Sequence, residues 1–281
     1  MGAGIFYFSN RESVPISGRK RFNCYGDGAS SSLSEQQVRR VMYEIEMQGL
    51  RILPAHDPRT LLVKRVMARL IPVSGLEQYD WEIRVIDDPR KANAFILPGG
   101  KVFVYSGILP ITRNRDGLAA VLGHEIAHNL AQHHGERMSA SIGRNILLYS
   151  LSSLAAPIPG LVLLVQAMGG FVLDTVFDRP MSRNMESEAD YIGLMLMAEA
   201  CYDPREAVHF WRRMEKAVNA GDSAEIPEWM STHPSHQSRV EKITEWLPKA
   251  MEKREMSDCQ GTSGFAEHFQ RALQSGVFYT G

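Results

Sequence analysis

The sequence predicts an α+β fold, mostly helical, with a small sheet beside one central helix. Two observations carry this. In residues 117–136, Leu118, Val121, Leu122, Ile126 and Leu130 recur at three- and four-residue spacing, the period of a helix with an apolar stripe. Residues 81–87 instead alternate apolar and polar side chains, and two short apolar runs, 94–97 and 102–105, flank the turn residues Pro98, Gly99 and Gly100, as strands do. With 281 residues, 44% of them hydrophobic, the chain can bury one substantial core. The economical division is an N-terminal extension and loop (1–32), one domain (33–250) and a polar C-terminal tail (251–281).

Taken in order, residues 2–8 are apolar but far too short to span a bilayer, and they lack the character of an Arg-rich amphipathic leader. Residues 11–32 are rich in Gly, Ser and Arg and read as a loop, with Arg19, Lys20 and Arg21 as solvated charges in preference to lipid contacts. Residues 34–48 and 58–70 read as helices, the second with Asp57 as N-cap and Pro58 at the first position. Thr112, Asn114 and Asp116 supply capping types before the central helix, and Gly135 is its expected stop.

Residues 145–173 contain no Asp, Glu, Lys or Arg. Pro157, Pro159 and Gly160 interrupt the run, and Gly169–Gly170 do so again, so 145–177 reads as an uncharged helical hairpin rather than a single span. Core packing or cover over a site is preferred there, with membrane-surface contact as the alternative. Asp203, Pro204 and Glu206 start a further helix through Phe210, Trp211 and Met214. A loop at 231–239 precedes a final helix through Ile243 and Trp246. Net charge is −1, which gives no basic field for nucleic acid. Cys24, Cys201 and Cys259 lack metal or redox spacing and leave the redox compartment open.

The chemistry lies in the central helix. His124 and His128 are four residues apart, so both imidazoles leave one face about a turn apart, the spacing that binds one metal ion. Glu125 lies about 100° around the helix and is free to take a proton from activated water. A catalytic zinc site needs a third protein ligand. His134 is one candidate, but Ala131 stands where a glycine bend would be needed, the helix continues, and His134 points off the metal face. Glu186 is the other. With Asp190 four residues on, it shares a helical face, so Glu186 can reach the metal while Asp190 accepts a proton from a ligand histidine's far nitrogen. Glu188 points elsewhere on that helix.

His124-Glu125-x-x-His128 followed by Glu186-x-x-Ala189-Asp190 resembles the gluzincin metallopeptidases that include the heat-shock membrane protease and the CAAX prenyl proteases. Two further segments, 93–109 and 14–23, resemble the mitochondrial inner-membrane stress-protease branch of that group. The resemblance implies a zincin-type fold, one Zn²⁺ per chain, peptide-bond hydrolysis, and protein or peptide substrates drawn from membrane proteins in mitochondrial quality control. It implies an inner-membrane location, although this chain carries neither the transit peptide nor the anchor expected with it, and it is compatible with a homo-oligomer. His233 and Arg239 match a His-Pro…Arg motif of the group, and are expected as catalytic donors to developing negative charge. The strand bearing Val102, Phe103, Val104 and Tyr105 is expected at the sheet edge, where an extended substrate would add. The alternatives are a soluble peptidase of the same chemistry outside mitochondria and a zinc-bearing binding module; Glu125 argues against the second.

Overall fold

The computed structural model describes residues 2–25, 27–173, 179–219, 233 and 237–259. A short helix α1 (Gly2–Ser9) leads into a hairpin of β1 (Arg11–Ser13) and β2 (Lys20–Phe22), then α2 (Asp27–Met47) and α3 (Pro58–Ser74). Next come β3 (Glu82–Ile86), β4 (Ala94–Leu97), β5 (Lys101–Tyr105) and the single turn α4 (Leu109–Thr112). The remaining elements are α5 (Arg115–Leu130), α6 (His133–Ala155), α7 (Leu161–Leu173), α8 (Arg179–Glu199), α9 (Arg205–Asn219) and α10 (Gln237–Met256). The mostly helical α+β expectation holds.

Helix starts follow their caps. Asp57 accepts a hydrogen bond from Arg59 N with Pro58 at the first turn, and Asn114 accepts one from Gly117 N. Several boundaries differ from expectation. Residues 11–22 pair as a hairpin, and α2 begins at Asp27 rather than after a loop. Arg19 and Arg21 are not solvated charges: Arg21 is buried beside Glu12, and Arg19 pairs with Glu136 and Glu188. At the C-terminal end α10 runs to Met256, and Cys259 forms a disulfide with Cys201, 58 residues away, across a Cα–Cα distance of 5.6 Å. That pairing depends on α8 and α10 lying side by side, which spacing alone does not reveal. Residues 231, 232 and 234–236 of the expected loop, 174–177 of the expected hairpin and 260–281 of the expected tail lie outside the described residues.

Helix α5 is the hub, packed against α3, α8, α9 and β4. A helix enclosed on several sides must be apolar nearly all round and small where another backbone crosses closely. Leu118, Val121, Leu122 and Ile126 are fully buried, each side chain contributing about 1.5–3 kcal/mol. Gly123 faces Gly193 of α8, where a Cβ on Gly193 would lie 2.9 Å from His124 N. This glycine contact sets the closeness of α5 and α8, and with it the distance between the histidines on one and the carboxylates on the other.

The sheet order is β3-β5-β4, with β5 parallel to β3 and antiparallel to β4. Strand β5 is therefore central. Val102, Phe103 and Val104 are fully buried and Tyr105 is 5% exposed, so these four residues do not form the substrate edge that was expected. Both ladder sides of β5 are already bonded. The cleft-side edge is β4, joined to α5 by a hydrogen bond from Asn129 Nδ2 to Ile96 O of 2.9 Å.

Helices α6 and α7 pack on one another as the hairpin expectation required. They are not core: Ile146, Leu147, Tyr149, Leu154, Leu163 and Met168 are exposed. No described helix is long and apolar enough to cross a membrane.

Candidate metal centre

Helix α5 stops at Leu130, not at Gly135, because Gln132 adopts φ 44° and starts α6 on a new axis. Asn23 Nδ2 donates to Gln132 Oε1 at 2.6 Å and so braces this left-handed residue. Gly135 sits inside α6, where a Cβ would lie 2.9 Å from Asn23 Oδ1. The bend does not carry His134 to the site; His134 is exposed. It instead turns its neighbour His133 inward.

His124, His128, Glu186 and His233 converge, with one donor atom from each lying within 4.8 Å of all the others. His124 Nε2 is 3.0 Å from His128 Nε2 and 3.2 Å from His233 Nδ1, and Glu186 Oε2 is 2.9 Å from His233 Nδ1 and 3.3 Å from His124 Nε2. A tetrahedral zinc with arms of about 2.05 Å requires donor separations of about 3.3 Å, so these spacings fit. Three imidazoles offering their ring nitrogens to one point also make poor mutual hydrogen-bond partners. Glu186 Oε1 is buried and accepts no hydrogen bond among the described residues, an acceptor that a cation would satisfy.

Electrostatics agree with a cation at this point. Burial opposes the charged form of Glu186, yet the surrounding histidines hold its carboxyl far below the usual range. Burial pushes the His128 imidazole well down, toward the neutral form that binds metal. Burial also disfavours the charged form of His124, but Asp190 and Glu186 outweigh it and lift the group to about 9.

Support lies behind His124 and His233. His124 Nδ1 is 3.0 Å from Asp190 Oδ1, as expected from the spacing of Glu186 and Asp190. Arg239 grips Asp190 bidentately at 2.7 and 2.8 Å, donates to the His233 carbonyl at 3.2 Å and lies over the Trp211 ring at 3.7 Å. It is 5% exposed. Arg239 therefore holds Asp190 and the His233 backbone, and its Nη1 lies 3.5 Å from Glu186 Oε2 at the edge of the cluster. Breaking a buried pair of this kind costs about 3–5 kcal/mol. His233 is brought to the cluster, and its Nε2 lies 3.3 Å from Glu125 Oε1.

Glu125 is buried beside the cluster but is not one of its converging donors. A cavity of about 430 Å³ opens on this side, bordered by Phe95, Ile96 and Leu97 of β4 together with Glu125, His128 and His233. The residues that sequence reasoning passed over are His133, Glu188 and Arg19. The signal for them was the 14–23 segment, whose contribution depends on a hairpin and a bend that no periodicity reveals.

Hydrolysis at a divalent cation is the chemistry that uses both this donor set and the carboxylate beside it, which places the protein in the class of zinc metallohydrolases. The chain belongs to peptidase family M48, whose model matches residues 58–247. It is similar to the mitochondrial metalloendopeptidase OMA1 of Schizosaccharomyces pombe, 44% identical over 92% of this chain and 73% of that protein. The Saccharomyces cerevisiae protein of the same name is 36% identical over 95% of the chain and 78% of its own length. The human metalloendopeptidase OMA1, mitochondrial, is 38% identical over 91% of the chain and 49% of that protein. The activity is that of a zinc metalloendopeptidase.

Proposed function

We propose that this endopeptidase cleaves membrane proteins at the mitochondrial inner membrane, with His124, His128 and Glu186 holding zinc and Glu125 as general base. The carrying observation is the geometry itself: a buried His–His–Glu set with an adjacent carboxylate, Glu125, that lines a cavity of about 430 Å³. Bound there, zinc supplies Lewis acidity to water and to the scissile carbonyl. Glu125 takes the proton from the attacking water and returns it to the leaving amine. Strand β4, the edge bordering the cavity, offers backbone groups along which an extended substrate aligns as an added strand. Chelation is expected to abolish cleavage of casein, and one equivalent of zinc to restore it. Cleavage that survives complete zinc removal would overturn the reading.

The relatives named above are mitochondrial by name, and the exposed uncharged faces of α6 and α7 support contact with a bilayer surface. The exposed Ile5, Phe6 and Phe8 of α1 add to the apolar surface. Removing residues 145–177 is expected to abolish flotation with liposomes, and unchanged flotation would exclude this contact.

A second reading concerns His233, because its Nδ1 occupies the fourth corner of the cluster, 2.9 Å from Glu186 and 3.2 Å from His124. In this arrangement His233 closes the site and leaves when substrate enters. His233→Ala is then expected to retain zinc and raise basal cleavage several-fold. Retained zinc with cleavage reduced about 10²-fold assigns His233 instead to stabilising charge on the reacting carbonyl.

A further inference from the structure

The segment 14–23 has no place in the chemistry described so far, yet it reaches the metal centre. Val14 is fully buried in the core, and the turn after it, with Ile16 at φ 66° and Gly18 at φ 71°, closes through Val14 N to Arg19 O at 2.8 Å and Gly18 N to Val14 O at 2.9 Å. This turn presents Ser17 and Arg19 to one point. Arg19 donates to Glu188 Oε2 at 2.8 Å and forks onto both oxygens of Glu136 at 2.6 and 2.7 Å. Ser17 Oγ donates to Glu188 Oε1.

Glu188 in turn meets His133, whose Nε2 is 3.0 Å from Glu188 Oε2 and whose Nδ1 is 2.8 Å from His128 Nδ1. The proton arrangement has one consistent direction. His128 directs Nε2 into the cluster, so its proton sits on Nδ1 and is donated to His133 Nδ1. His133 then carries its own proton on Nε2 and donates it to the carboxylate of Glu188. His133 is 1% exposed and Glu188 7%, so water does not compete for these groups. The hairpin also sets the bend that aims His133, through the bond from Asn23 to Gln132 and one from Cys24 N to Ser139 Oγ of 3.0 Å.

The metal centre is therefore supported twice by the same device. On one side His124 leans on Asp190, which Arg239 grips; on the other His128 leans on His133 and Glu188, which Arg19 grips. The first support lies within the helical domain, whereas the second comes from the N-terminal hairpin.

We propose that Arg19, Glu188 and His133 are positioning residues that fix the tautomer and orientation of His128, so that docking of the N-terminal hairpin sets how tightly the protein holds zinc. The proposal rests on His128 being a ligand. Support behind a ligand histidine is worth about 10–100-fold in metal affinity. Arg19→Ala and Glu188→Gln are each expected to weaken zinc by about that factor in competition with a chromophoric chelator, and to shift the visible absorption of the cobalt-substituted protein, which reports ligand geometry. Because both act through one chain of contacts, the double variant is expected to lose no more than the more damaging single. Arg19→Lys, which keeps the charge but cannot fork, is expected to fall between and serves should Arg19→Ala not fold.

Zinc affinity and cobalt spectra like wild type in these variants would overturn the proposal, as would a lowered melting temperature of the zinc-free protein with zinc affinity intact, which marks a structural role only. So would fully additive losses. His128→Ala separates the two levels of inference. If it loses zinc while Arg19→Ala and Glu188→Gln keep wild-type affinity, His128 stands as a ligand and the relay falls; if it binds zinc like wild type, His128 is not a ligand and the proposal falls with it.

Discussion

Glu125→Gln is expected to keep about one zinc per chain and to lose cleavage by at least about 10²–10⁴-fold, the range a positioned general base contributes. The substitution preserves shape and removes only the ability to take a proton. Glu125 is 4% exposed and lies on α5 next to His124 without joining the cluster, so the ligand geometry has no reason to change. Zinc content by elemental analysis beside casein cleavage checks both halves. Loss of zinc in this variant would move Glu125 into the ligand set, whereas retained cleavage would remove Glu125 as the general base.

Glu186→Gln carries the second large effect, loss of zinc and activity together. Among the described residues the carboxylate is the one acidic donor in the converging set and sits among three imidazoles, so its charge sets much of the attraction for a dication. Its replacement leaves a neutral amide whose N–H groups repel the ion. At zinc about 1,000-fold above its dissociation constant, binding stabilises the native state by about 4 kcal/mol. For a chain of this size that is roughly 8–16 °C in melting temperature. Wild type is expected to show this rise on adding zinc, and Glu186→Gln to show little or none. An equal rise in both would remove Glu186 from the site.

Much of the site was legible because its two halves each lie on one helix. His124 and His128, or Glu186 and Asp190, project together whenever the segment is helical, and the four-residue spacing states this without further context. His233 was legible only by resemblance, since it approaches from a separate part of the chain. Arg239 was placed near the site for the same reason, but its grip on Asp190 was not legible: motif position says that a residue is near, not which neighbour it holds. Strand β5 shows a related limit. Its four apolar residues read equally well as edge or centre, and only the pairing of β3 on one side and β4 on the other decides.

Local period and residue chemistry were enough for the fold class, for the helix that carries the metal motif, and for Glu186 and Asp190 sharing one helix face. Tertiary structure decided what joins them. The glycine contact between α5 and α8 brings carboxylates to histidines, the bend at Gln132 turns His133 rather than His134 inward, and the hairpin of residues 11–22 docks Arg19 behind Glu188. Each is a close approach between segments far apart in the chain. Such approaches depend on shape and hydrogen bonding across the packed core, which no periodicity along the chain encodes.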